Sequence, residues 1–161
     1  MSNRSLTVAA LLAVVLVSAA WTEDELKMLH DPGGWEYVTV GEPDAGIQTT
    51  HTCFDGKPHP EECSGKLILR SDNTFSKQVF IHHQEVSRTG TYKLDSDRVA
   101  FFDEFGNQDG PYTIHLDTKS KLLTLDMPQL HIELELESQY HEDLKNGTAP
   151  GAGSPAALSS R

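Results

Sequence analysis

The residues best equipped for chemistry gather around two cysteines. Cys53 and Cys63 enclose a stretch containing Pro58 and Pro60, with His51 and His59 close by. In a chain routed to an oxidising compartment, as the amino terminus described below implies, such a pair is expected to form a disulfide. Closing so short a loop stabilises by about 2–3 kcal/mol in the chain-entropy model. The competing chemistry is a metal site built from His51, Cys53, His59 and Cys63. The spacing of these cysteines fits no standard zinc motif, which sets them two to four residues apart, and oxidation removes the thiolates in any case.

Other titratable groups are less promising. His82 and His83 are neighbours on an expected strand, so they point to opposite faces and cannot grip one ion together. His131, Glu133, Glu135 and Glu137 do share a face, but alternate residues on a strand stand about 6.5–7 Å apart, too far for a compact cage. That ladder reads as a solvated outer face, with a loosely held calcium as the ion to expect if any bound. Nucleophilic catalysis finds no support: G-x-S-x-G and H-E-x-x-H are absent, and His141-Glu142 lacks a second histidine. The expectation is a protein that is not an enzyme and uses no cofactor and no metal. Asn146-Gly147-Thr148 matches a glycosylation sequon, relevant only where the source glycosylates this way.

Charge narrows the partners. The 161 residues carry 24 acidic against 13 basic side chains, a formal charge of −11. Lys57, Lys66, Arg70, Lys77, Arg88, Lys93 and Arg98 are scattered singly, so no basic cluster exists to release counterions from nucleic acid or to meet an anionic membrane. Arg4 precedes an apolar run from Leu6 to Val17, and Ser18-Ala19-Ala20 supplies the small residues a signal peptidase requires. Residues 1–20 are therefore expected to be a cleaved signal peptide. The run is too short to span a bilayer, which needs about 20 apolar residues, so the mature chain is expected to be secreted or periplasmic, without stable membrane insertion. A monomer is expected.

Thr22 and Glu25 have capping-box spacing, and Leu26 and Leu29 share a face, which predicts a short helix over 23–30 that ends at Asp31-Pro32-Gly33-Gly34. Turn-forming residues then recur at regular short intervals, the mark of an antiparallel meander. Leu130, Ile132, Leu134 and Leu136 alternate with polar neighbours, as do Tyr112, Ile114 and Leu116, and Leu123, Leu125 and Met127. One face of each strand is core and the other is water. With further strands over 34–40, 65–70, 74–82, 86–94 and 98–105, the total is about eight. Residues 41–60 are loop-rich and receive no assignment. From Gly147 the sequence is small, Pro- and Gly-rich and has almost nothing to bury, so 147–161 is expected to be a disordered tail. The fold class is all-β: a barrel or half-barrel over 21–146.

A helix, then Gly33 and Trp35 in a G-x-W element opening the first strand, then this meander, resembles the lipocalin-like superfamily. The run from Gly65 through Asp72 to Phe75, followed by Gly90-Thr91-Tyr92-Lys93-Leu94, resembles the small bacterial secreted members. A T-D-Y-type loop and a late arginine stacking on the tryptophan have no counterpart here. The resemblance implies a cup for a small apolar or amphipathic ligand, lined by Trp35, Tyr37, Phe80, Tyr92, Phe101, Tyr112 and Ile114. The rival is a barrel filled by its own side chains that acts through its acidic outer face and loops as an envelope-associated or protein-interaction module. Among Phe101, Phe102 and Phe105, one exposed ring would mark a partner surface.

Overall fold

The computed structural model describes residues 20–44, 47–81 and 83–152. The signal-peptide assignment falls, but for residue 20, outside the described residues, as do His82 and the expected tail from 153 onward. Helix α1 (Glu23–Leu29) starts as its sequence dictates: the Thr22 hydroxyl accepts from the Glu25 N–H at 3.2 Å, and the Thr22 N–H donates to Glu25 Oε2 at 2.7 Å. Gly34 sits at φ 76°, where a side chain would meet the Leu67 carbonyl. Only glycine lets the chain turn there from helix into sheet.

Among the described residues nine strands follow: β1 (Trp35–Asp44), β2 (Ile47–Thr52), β3 (Cys63–Leu69), β4 (Thr74–Ile81), β5 (Gln84–Asp95), β6 (Arg98–Asp103), β7 (Gln108–Asp117), β8 (Leu122–Met127) and β9 (Leu130–Leu136). All pairings are antiparallel and join sequence neighbours, except that β3 pairs with β1 instead of β2 and that β1, from Trp35↔Leu136 to Gly41↔His131, also pairs with β9. That last ladder closes an eight-stranded barrel of β1 and β3–β9, with β2 folded onto the outer half of β1. The pairing of β1 with β3 is brief: Trp35↔Leu67 and Glu36↔Lys66 only. Beyond it β1 bulges between Tyr37 and Thr39, and the Val38 carbonyl accepts the N–H of both Cys53 and Phe54. The Cys53–Cys63 disulfide, with Cα atoms 4.7 Å apart, ties the end of β2 to the start of β3 where the ladder is missing.

Strand direction defines two ends. One is closed by α1, whose buried Leu29 offers its carbonyl to Trp35 Nε1 at 3.1 Å. Here too Tyr92 OH donates to the Arg70 carbonyl at 2.9 Å, so it accepts from His30 Nε2 at 2.7 Å. The other end lies by the β4–β5 and β8–β9 turns and is the mouth. β6 stops at Asp103, opposite Gly90, so residues 84–89 of β5 overhang it.

Two features depart from the sequence reading. Residues 41–60 contain the rest of β1 and all of β2. A second helix, α2 (Glu137–Asn146), follows β9 and packs on the outside of the barrel, with Tyr140 against Phe54 at 4.4 Å between ring centroids. The first residues of the expected tail are also held: Thr148 Oγ1 donates to Asp143 at 2.8 Å and the Gly151 N–H to Glu135 at 3.4 Å.

Candidate functional site

Inward-facing side chains come from alternate positions of every barrel strand. Trp35, Tyr37, Tyr92, Phe101, Tyr112 and Ile114 all sit in the buried core. Phe80 does not. In β4 the inward row is Phe75, Lys77, Val79 and Ile81, so Phe80 belongs to the opposite face, half-buried, with its ring 6.3 Å from that of His83. The reason is the strand period of two: Phe75 and Phe80 differ by an odd number and cannot both point in.

The centre of the barrel is filled by rings. Phe75 and Phe101 meet edge to face at 4.9 Å, and Phe101 meets Tyr112 at 5.9 Å. This is the arrangement aromatic quadrupoles favour. Towards the mouth from this stack lies a polar group that alternation does not predict. Lys77 pairs with Asp109 Oδ2, its ammonium 5.9 Å from the Phe101 centroid, and Tyr112 OH donates to Asp109 Oδ1. Burial alone would raise the Asp109 pKa; the hydrogen bonds from Lys77 and Tyr112 outweigh it and hold the carboxyl below its usual range. Burial, together with the Asp109 charge, pushes the Tyr37 and Tyr112 phenols far up, so both stay neutral.

Asp109 was hidden by a bulge. Val99 pairs with Tyr112 but Phe101 with Asp109, which puts one extra residue in β7. Gly110, at φ 99°, takes up the kink. Counting back by twos from Tyr112 puts Gly110 inside, whereas the bulge turns Asp109 in. The only sequence signal is the Gly110-Pro111 pair, which interrupts a strand where neither residue is favoured.

Beyond the ion pair the mouth opens into a cleft of about 180 Å³ lined by Glu42, Val79, Ile81, Gln84 and Val86. His51 lies 3.6 Å from Glu42 beside it. Two larger grooves, of about 330 and 320 Å³, lie elsewhere, one beside Trp21 and one beside Phe105, which is 81% exposed.

Cys53 and Cys63 are joined, which leaves no thiolate for a metal. His59 instead contacts Asp55 at 2.9 Å, whose hydrogen bond raises its pKa. Among the described residues no three His, Cys, Asp or Glu side chains are placed to hold an ion. The expected solvated ladder is solvated only in part. His131 is exposed and pairs with Asp126, and Glu133 is half-buried and accepts from Thr39 at 2.9 Å. Glu135 is wholly buried because α2 covers it, and Glu137 starts the helix and binds Lys66. No described helix is long and apolar enough to cross a membrane.

The chain is thus an all-β protein whose closed antiparallel barrel carries a polar mouth above a ring-filled centre. No family model, curated protein or solved structure matches it.

Proposed function

We propose that this is a secreted, non-catalytic, lipocalin-like binding module that takes a small amphipathic molecule at the open mouth of the barrel. The carrying observation is the Lys77–Asp109–Tyr112 group, next to which, one inward position along β4, begins a cleft lined by Val79, Ile81 and Val86 together with Glu42 and Gln84. Apolar clefts with a few convergent polar groups are the usual form of a small-molecule site. The apolar part of the ligand would lie on the valines and isoleucine, and its polar end would meet the charged group. The rings occupying the deep interior make this a shallow site. The disulfide supports an oxidising destination, the one expected from the apolar run at the amino terminus.

The test is a fluorescence titration with 1-anilinonaphthalene-8-sulfonate, an amphipathic anion. Saturable one-to-one binding is expected, weakened at least tenfold in Val86→Glu and in the joint variant Lys77→Met, Asp109→Leu. Unsaturable binding, or equal binding by all three proteins, overturns the reading.

A second reading, a filled barrel that engages another protein, is favoured by the exposed Phe105 in the β6–β7 turn. Native mass spectrometry of protein recovered from a secretory compartment separates the two: a retained small apolar mass supports the first, and a bare monomer shifts weight to the second.

A further inference from the structure

Where α2 crosses the outside of β9, two carboxyls meet under cover. Glu135 is 0% and Asp143 3% exposed. Glu135 Oε1 accepts the Gly151 N–H at 3.4 Å, and Asp143 Oδ1 accepts from Thr148 Oγ1 at 2.8 Å and Gln139 Nε2 at 3.1 Å. The other two oxygens, Glu135 Oε2 and Asp143 Oδ2, are buried without a donor. Every one of these contacts joins the carboxyl-terminal segment to itself or to the barrel.

Neighbouring charges do not neutralise the pair. Across the β1–β9 ladder Glu36 stands opposite Glu135, adding negative charge, and the Lys66 ammonium on β3 is shared between Glu36 and Glu137. Lys121, ahead of β8, places its ammonium on Gln139 Oε1 at 3.0 Å and reaches Glu135 only through its field. On β9 itself Glu133 engages Thr39 and His131. On α2, His141 lies 3.9 Å from Glu137, Lys145 is exposed, and Tyr140 is held neutral by burial and by the charges of Glu36 and Glu135. Residues 147–152 carry no titratable side chain.

Two carboxylates in contact in a poorly solvated place cannot both ionise. One proton removes the conflict and turns two orphan acceptors into a single O–H···O⁻ bond. We propose that Glu135 and Asp143 share one proton and form an acid-tightened clasp that holds α2 and residues 147–152 on the barrel and lets go as the pH rises.

Burial, then the Asp143 hydrogen bond and charge, pushes the Glu135 carboxyl up to about 8. Because the folded value lies above the unfolded one, the contribution is complete below the ordinary glutamate range. It declines through neutrality and is gone above about pH 8. Release would pivot near Leu136 and Glu137, whose N–H groups stay bonded to Lys121 and Gly34. It would uncover Phe54, buried beneath Tyr140 and adjacent in sequence to the disulfide.

Hydrogen exchange of the full chain, followed by mass spectrometry from pH 5.5 to 9.5 and corrected for intrinsic base catalysis, tests this. Protection over 139–152 is expected to fall at least tenfold between pH 6 and 9 while β3–β8 stay unchanged. Glu135→Gln and Asp143→Asn, which supply a neutral donor, are expected to flatten the profile. Should one variant fail to fold, the other carries the comparison. A flat wild-type profile, an unaltered pH response in both variants, or loss of protection across the whole barrel in step overturns the clasp. Recovery of protection at pH 9 on adding calcium chloride also overturns it, since a metal ion and not a proton would then occupy the pair.

Discussion

Two carboxyls, the half-buried Asp109 inside the barrel and the wholly buried Glu135 outside it, are driven in opposite directions by their neighbours as each loses water. Asp109 has an ammonium and a phenol aimed at it and stays ionised. Glu135 has another acid, and its affinity for a proton rises. Burial magnifies whichever neighbour is present. The inner site is thereby a fixed dipole suited to holding something, and the outer one a titrating group suited to responding.

The contrast is broken most strongly by Lys77→Ala. It takes the ammonium from a half-buried Asp109 that keeps the Tyr112 hydroxyl and the field of Arg88, and urea denaturation at neutral pH is expected to show a loss of about 3 kcal/mol. The Asp109 carboxyl, followed by NMR titration, is expected to move upward and come to resemble Glu135. In the wild type the lowered Asp109 value means that its contribution is present above the ordinary aspartate range and lost as pH falls through the folded value, the reverse of the outer pair.

A weaker perturbation is Cys53→Ser with Cys63→Ser, expected to cost about 2–3 kcal/mol. It should loosen the seam between β1 and β3 and the Phe54–Tyr140 contact while leaving the Lys77–Asp109 pair in place, so exchange should quicken over 50–66 and α2 before it does over β6 and β7. The smallest effect belongs to Phe80→Ala. Facing outward, it is expected to change stability by less than about 1 kcal/mol. Phe101→Ala serves as the inward control, expected to lose about 3–5 kcal/mol.

What could be read from the chain follows where alternation holds. In β9 the rows Leu130, Ile132, Leu134, Leu136 and His131, Glu133, Glu135 fall on the faces their order implies. It fails where one residue is inserted, as at the Gly110 bulge, or where a charge occupies an inward position. In β4 the inward row holds Lys77, so Phe80, three residues on, faces outward. β2 went unread because Ile47-Gln48-Thr49-Thr50-His51-Thr52 has almost no apolar face, being half of a ribbon laid on β1. α2 offers little to bury except Tyr140 and Leu144, and its hold on the barrel is largely polar, which no hydrophobic periodicity reports. The burial of Glu135 depends on that helix and was hidden with it.

The closure of the barrel sets an order of assembly. From β3 to β9 each strand pairs with the one just made, so these hairpins draw on contacts of low sequence separation. β1 is the exception: one edge waits for β9, and Trp35 meets Leu136 only when nearly the whole domain has been synthesised. Until then the first strand presents an open hydrogen-bonding edge. While the chain is incomplete, that edge is the one a chaperone would have to shield.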